Sequence, residues 1–369
     1  MNMKVVSKLR YDDVIYIGRR EISISAPTYF IADVASNHDG DLERAKKLIW
    51  LAKEAGADAV KFQHFKAEMI VSDYGFKHLD SKMGHQASWS RSVFEVYEQY
   101  ECNRDWTTEL AKTAKEAKID FLTTPYDAEA IELLDKYIPA YKIGSGDITW
   151  IDFIEMIAKK NKPVIMATGA SSINDVERAV EAVLKHNSRL VLLQCNTNYT
   201  GNIENFKFIN LKVLRTFAAK YPNMVIGLSD HTPLHATVLG AIALGARVVE
   251  KHFTDDNNRV GPDHAFSMNP KTWTEMVERS RELEMSLGDG IKRIEQNEMD
   301  TVIVQRRCLR LTCDMNIGDK INSDKLESLR PAPKGSIEPY RIKQVIGKTL
   351  KCSKSSGDAL YEKDILEEL

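Results

Sequence analysis

The stretch 226-IGLSDHTPLHATVLGAIALGARVVEKHFTDDNNRVGPDHAFSM-268 decides how the chain is read. Two short β-branched-rich runs, IGLSD and RVVEKHF, each deliver a histidine near a carboxyl end, His231 and His252. The apolar segment LHATVLGAIALGA between them is long enough for one crossover helix. This is a βαβ unit, and in an α/β barrel the strand ends and the loops after them carry the chemistry. Ser229, Asp230, His231, Glu250, Lys251, His252 and Asp263 are therefore expected to converge in one small volume. A lone histidine at a strand end is commonly a structural residue. Two at corresponding ends of successive strands, each in a polar cluster, read as candidate metal ligands.

Working outward, the same rhythm covers most of the 369 residues, enough for a full barrel and a small appendage. VIYIGRREISISAPTY (residues 13–28) reads as a hairpin that would plug the barrel bottom. The strands IADVA, DAVKFQHF, DFLTTPY, AYKIG, KPVIMA and RLVLLQC alternate with amphipathic segments such as LERAKKLIWLAKEAG and INDVERAVEAVLKHN. Asp105 is the expected N-cap of DWTTELAKTAKEA. With the opening unit this makes about eight alternations, closed by PKTWTEMVERSRELEMSL, so the expected fold is a (β/α)8 TIM barrel over residues 1–290. Residues 66–104 break the rhythm with a loop too long for an ordinary βα connection, as functional lids do. Residues 291–305 read as a charged linker, helical at first, and 306–369, with short strands, Gly-Asp turns and prolines, as a second domain too thin to stand without support.

Composition narrows the function. Hydrophobic residues at 43% and charged residues at 28% are globular usage, and a net charge of −2 leaves no basic footprint, so nucleic acid is not an expected partner. No apolar run approaches spanning length and the N-terminus has no leader pattern, so a cytoplasmic protein without membrane contact is expected. Five cysteines without CxxC spacing indicate neither a disulfide framework nor a zinc knuckle, and Cys195, closing an apolar strand, reads as a buried inert thiol.

The strand ends describe an anion site beside the histidines. Lys61, Thr123, Thr124, Lys142, Ser145 and Ser229 fall on different strands in phase with the barrel, which suits a phosphate or carboxylate through charge-assisted hydrogen bonds. KIGSGD lacks a nucleotide fingerprint, and its glycines would instead let backbone approach a ligand. Asp33, Asp147, Glu250 and Asp263 complete the inventory. With two imidazoles this mouth could hold Mn²⁺, Mg²⁺, Zn²⁺ or Co²⁺, and imidazole argues against calcium. Asp255 and Asp256 read as a solvated loop; His38 could line the site, while His64, His78 and His85 show no partner pattern.

The ordered blocks IADVASNHDG, GADAVKFQ, TTPYD, PAYKIGSGD, ATGAS, LLQCNTNY, IGLSDHT, EKHF and GPDHAFS resemble the sialic acid synthase (N-acetylneuraminate synthase) family, which joins phosphoenolpyruvate to an N-acetylated hexosamine aldehyde. LESLRPAPKGSIEP resembles the antifreeze-like (SAF) domain found after it. The resemblance implies His231 and His252 as ligands of a divalent metal, Mn²⁺ first and Mg²⁺ or Co²⁺ next, and Lys61, Thr124, Lys142, Ser145 and Ser229 as the phosphoenolpyruvate pocket. It implies Tyr199 and Asp263 near the sugar, and Arg330 reaching the partner's barrel mouth in a domain-swapped homodimer. Asp33, Asp147 and Asp263 are the candidate catalytic carboxylates, placing water or moving protons. Asp33 and Asp147 stand where the family usually has Glu, which leaves room for a bulkier acceptor. Ala167 removes one hydroxyl, and RPAPKGSI is one residue longer than the family pattern. Competing readings are a condensing barrel that makes 3-deoxy-octulosonate or heptulosonate phosphates, a Schiff-base aldolase using Lys142 or Lys61, and a non-catalytic sugar-binding barrel.

Overall fold

A computed structural model describes residues 10–79, 84–199 and 201–366, with nothing said of the side chains of His85 and Ser88. The segment before residue 10, four residues of the long loop, residue 200 and the last three lie outside the described residues. The chain divides into two compact units after Gly288.

In the first unit a hairpin, β1 (Val14–Ile17) and β2 (Arg20–Ser23), precedes eight parallel strands. These are β3 (Tyr29–Asp33), β4 (Ala59–His64), β5 (Asp120–Pro125), β6 (Tyr141–Ile143), β7 (Val164–Ala167), β8 (Leu190–Cys195), β9 (Ile226–Asp230) and β10 (Val248–His252), closed in the order β10-β3-β4-β5-β6-β7-β8-β9. Each strand is followed by a helix: α1 (Leu42–Glu54), α2 (Thr107–Ala117), α3 (Ala128–Leu134), α4 (Ile151–Ala158), α5 (Ile173–Leu184), α6 (Val213–Lys220), α7 (Ala236–Ala243) and α8 (Pro270–Leu287). Local chemistry starts them. Asp41 caps α1 by accepting from the Arg44 N–H, and α1 then buries Ala45, Leu48, Ile49 and Ala52 at helical spacing. Asn269 and Thr272 form a capping box on α8, with Pro270 in its first turn. Asp105 does not cap α2: Asn103 caps the 3-10 turn before it by accepting from the Asp105 N–H, and Trp106, at the N-cap of α2, makes no side-chain capping bond.

Strand side chains alternate between the barrel interior and the helix layer, and that alternation builds the site. Inward positions low in the barrel are apolar. Tyr29, Ile31, Ala59, Leu122, Ala140, Ile165, Val191, Leu193 and Val248 pack with Ile15, Ile17 and Ile22 of the hairpin, which plugs the barrel bottom. Two residues further along the same inward rows, or four for His252, the character changes: Ile31 gives way to Asp33, Ala59 to Lys61, Leu122 to Thr124, Ala140 to Lys142, and Val248 to Glu250 and His252.

The opposite face corrects part of the sequence reading. Asp230 and Lys251 do not join the mouth; they point into the helix layer as a buried ion pair, with Thr232 and Thr237 donating to the carboxylate. Thr123 also faces outward, 2.7 Å from His64 Nδ1, while His64 Nε2 lies 3.0 Å from Thr107 Oγ1. His38 is buried edge-on against Trp106 and does not line the cavity. Asp255 is no solvated loop residue, because it pairs with Arg44 at 2.6 Å and also with Arg259 and Lys47.

The second unit has its own small core, with Leu309, Leu311, Met315, Ile321, Ile337, Val345, Leu350 and Leu360 around the antiparallel pair β11 (Cys308–Leu311) and β12 (Leu326–Leu329). The segment expected to be helical at its start is helical at its end, over Met299–Gln305. Arg330 is exposed and directly follows β12.

Burial lowers the pKa of His64 to about 3 and of His38 to about 4. Between pH 6.5 and about 4 the unfolded chain binds protons that the fold refuses, so stability is full above pH 6.5 and falls below it, by at most about 1.4 kcal/mol per pH unit for each histidine. His64→Leu should lower the melting temperature at pH 7.5, because two threonine hydroxyls lose their partner, yet make its decline from pH 6.5 to 4.5 shallower. An unchanged slope would remove His64 from this account.

Candidate active site

A cavity of about 440 Å³ opens at the carboxyl ends of the strands. Its floor is ionic. Glu250 lies between two lysines, Oε1 3.3 Å from Lys61 Nζ and Oε2 3.3 Å from Lys142 Nζ. Lys61 also meets Asp33 Oδ2 at 2.8 Å and Thr124 Oγ1 at 3.3 Å, and Gln63 Nε2 donates to Asp33 at 3.0 Å. All four charged groups are almost fully buried. Burial works to raise the Glu250 carboxyl, but the two ammoniums and Ser229 hold it well below the usual range. Burial likewise works to lower Lys61, and Asp33 with Glu250 keeps it raised, hence protonated. A protonated amine is no nucleophile, which counts against the Schiff-base reading for Lys61.

One wall carries the histidines, with ring centroids 5.4 Å apart. The His231 Nδ1–H donates to the Asn196 carbonyl at 2.9 Å, since a carbonyl can only accept, and this leaves the Nε2 lone pair available. Burial acts to lower His231, but the Cys195 thiol, that carbonyl and Asp230 raise it; His252 is lowered by burial, with His231 and Lys61 adding to it. His252 Nε2 stands 3.8 Å from Asp33 Oδ2, and its Nδ1 lies 3.9 Å from Asp263 Oδ2 and is buried without a hydrogen-bond partner. Ser36 orients Asp263 through both its hydroxyl and its N–H. Tyr199 lies edge-on to His231 at 4.4 Å, and Phe266 packs 5.0 Å from His252. Among the described residues no three His, Cys, Asp or Glu side chains are gathered to hold a metal alone. The donor set nonetheless fits a catalytic cation whose remaining ligands come from substrate or water. It offers two imidazoles, one of them with an orphaned buried nitrogen, in a cavity lined by four carboxylates against two ammoniums.

The third side comes from the long loop, which adds Ile70, Gln86, Trp89, Val96, Tyr97 and Tyr100 to the lining. Its far end is tied down by Arg104, paired with Asp127 and, at 3.0 Å, with Glu129. Below it, Ser145 Oγ accepts from the Gly169 N–H at 2.9 Å, and a Cβ at Gly169 would lie 1.9 Å from Thr197 Oγ1, so only glycine allows this approach. Burial pushes the Asp147 carboxyl up to about 6 against the pull of Lys142.

This arrangement is matched by known proteins. The NeuB family model matches residues 48–292, and the SAF domain model matches 306–366. The chain belongs to the NeuB family. It is 34% identical over 325 residues to the N,N'-diacetyllegionaminic acid synthase of Campylobacter jejuni, covering 87% of this chain and 95% of that one. It is 31% identical to the human N-acetylneuraminate-9-phosphate synthase, covering 91% and 92%. Among solved structures, the N-acetylneuraminic acid synthetase of Leptospira borgpetersenii superposes with a TM-score of 0.70 at 27% identity, over 79% of this chain and 96% of that chain. The protein is thus an enzyme of the NeuB family: a TIM barrel with a SAF domain, similar to nonulosonic acid synthases that act on small molecules. No helix among the described residues is long and apolar enough to cross a membrane.

The NeuB barrel brings Asp33, Lys61, Thr124, Lys142, Ser145, Asp147, Tyr199, Ser229, His231, His252 and Asp263 into one cavity. Arg330 belongs to the second unit. Sequence reasoning missed Gln63, Tyr126 and Phe266, although Gln63 lies two residues beyond Lys61 on the same inward row and was open to the alternation argument. Cys195 is buried near the imidazole wall, 3.9 Å from Thr197 Oγ1. Glu250→Gln would leave Lys142 without its carboxylate, and losing one partner of a buried pair costs about 3 kcal/mol. Chemical denaturation should show that loss, and an unchanged midpoint would mean that the lysines carry no buried ionic load.

Proposed function

We propose that this NeuB enzyme condenses phosphoenolpyruvate with the open-chain aldehyde of an N-acylated amino-hexose, giving a nine-carbon nonulosonic acid and phosphate. The observation that supports it best is the Lys61–Glu250–Lys142 floor beside the paired imidazoles: cations set for an anionic donor next to a site for a carbonyl oxygen. Lys61, Lys142, Thr124, Ser145 and Ser229 hold the carboxylate and phosphate, and supply the orientation that a weak enol nucleophile requires. C3 of the donor forms the new bond to the aldehyde carbon, water adds at C2, and phosphate leaves with the C2–O bond electrons. Asp33, held by Lys61 and Gln63, and Asp263, held by Ser36, place that water and pass its protons, while Asp147 contacts the sugar.

When bound at His231 and His252, a divalent cation, Mn²⁺ in our reading, supplies polarisation of the aldehyde oxygen. Such a charge also offsets the carboxylate excess that a trianionic donor would otherwise meet. Among the described residues the cations lining the cavity, Lys61 and Lys142, are committed to the donor, which counts against an acceptor that brings its own phosphate and so against the sugar-phosphate condensing reading. The enzyme works in the cytoplasm, where phosphoenolpyruvate is made, as a homodimer in which Arg330 of one SAF domain enters the partner's barrel mouth. The experiment is a phosphate-release assay with phosphoenolpyruvate and N-acetylmannosamine or diacetamido-hexoses, with and without Mn²⁺. Release that does not depend on the sugar would end the proposal.

Two further outcomes are expected. His252→Ala should lose activity by orders of magnitude and lose Mn²⁺ binding by calorimetry while keeping its melting temperature, because site residues sit at the barrel top and stability features below. Near-normal turnover in chelator would refute the metal. Mixing inactive His231→Ala and Arg330→Ala subunits should restore activity if Arg330 acts across the dimer, and no recovery despite demonstrated subunit exchange would refute that.

A further inference from the structure

The lid side of the cavity takes no part in the bond-forming steps of the condensation. In the closed strand order β6 lies opposite β10, so Asp147, just after β6, faces His252 across the mouth. On the arc between them aromatic rings stand in a row. Trp89 lies 6.5 Å from Tyr97, Tyr97 5.3 Å from Phe65, and Phe65 6.0 Å from Tyr126, measured between ring centroids. The row ends at a carboxylate, since a Cβ at Gly144 would lie 3.4 Å from Tyr126 Oη and 3.8 Å from Asp147 Oδ2. Asp147 Oδ2 is buried and has no hydrogen-bond partner among the described residues. A buried acceptor without a donor is costly, so one that faces a ligand cavity is matched by a donor on the ligand.

We propose that this wall is a subsite for a second N-acylamino group on the acceptor sugar: the amide N–H donates to Asp147 Oδ2 and the acyl group packs on the rings of Tyr97, Phe65 and Tyr126. The inference deepens the proposed function and rests on it. A hydroxyl would satisfy the carboxylate but offer the rings no apolar surface to pack on. A phosphate would meet the Asp147 carboxylate, and among the described residues no lysine or arginine of the long loop lines the cavity. An acylamino group uses both features, and because phosphoenolpyruvate contains no nitrogen, every amide of the product must come from the acceptor. With its pKa raised by burial to about 6, Asp147 is ionised at neutral pH and above, the state that accepts from an amide.

The test uses the full-length enzyme with Mn²⁺ and a matched pair of acceptors, a diacetamido-hexose and its mono-acetamido analogue carrying hydrogen, not hydroxyl, in place of the second acetamido group. The wild type should favour the diacetamido sugar by on the order of tenfold to hundredfold in kcat/KM, mostly through KM, because a site built around a hydrogen bond rejects the analogue that lacks the donor. Trp89→Ala, Tyr97→Ala and Asp147→Ala should each bring that ratio to within about threefold of one. Phosphoenolpyruvate binding measured by calorimetry reports whether each variant keeps a folded floor. Equal kcat/KM for the two sugars in the wild type, or an unchanged ratio in folded variants, would overturn the subsite and leave the condensation standing. No phosphate release with either sugar would overturn both.

Discussion

Glu250 between Lys61 and Lys142 is the interaction on which the mouth depends. Three charged groups at the centre of a barrel would each be costly alone, and they are tolerable because every one has a partner within about 3.3 Å. That pairing fixes the lysine ammoniums on one side of the cavity. It also leaves Asp33 shared between Lys61, Gln63 and the nearby His252. The same electrostatics argue for two charged guests, a polyanionic donor and a cation, because the lining has more carboxylates than ammoniums.

The fold supplies this arrangement by simple alternation. Most strands enter at the bottom with an apolar inward residue that packs with the hairpin plug and leave at the top with a polar one; β7, which ends on Ala167, is an exception. The bottom therefore carries stability and the top carries chemistry, within a single strand length. The outward rows do separate work. Asp230 with Lys251, and His64 with two threonines, satisfy polar groups in the helix layer and add nothing to the cavity. One consequence is that acid sensitivity of the fold and chemistry of the site rest on different histidines: His64 and His38 in the packing layers, His231 and His252 at the mouth.

The cavity has three chemically distinct sides. The floor is ionic, one wall carries two imidazoles, and the lid wall is aromatic with an orphaned carboxylate. NeuB enzymes as similar to this chain as those of Campylobacter jejuni and human carry names for different sugars.

Much was legible in the sequence because strand and helix periods are local. The barrel, the plug, the two histidines and the inward lysines all follow from spacing along single segments, and the ordered blocks named the family. What the sequence left open was direction and company. Asp230 and Lys251 sit beside Ser229 and Glu250 in the chain, yet a one-residue step in a strand sends a side chain to the opposite face, so neighbours in sequence belong to different layers. His38 and Asp255 found partners, Trp106 and Arg44, that are remote in the chain or on another element. The role of Glu250 as the anchor of two lysines, and the meeting of Trp89, Tyr97, Phe65 and Tyr126 beside Asp147, exist only after the barrel closes and the loop folds over it. Long-range contacts of that kind are set by tertiary packing, and no local period encodes them.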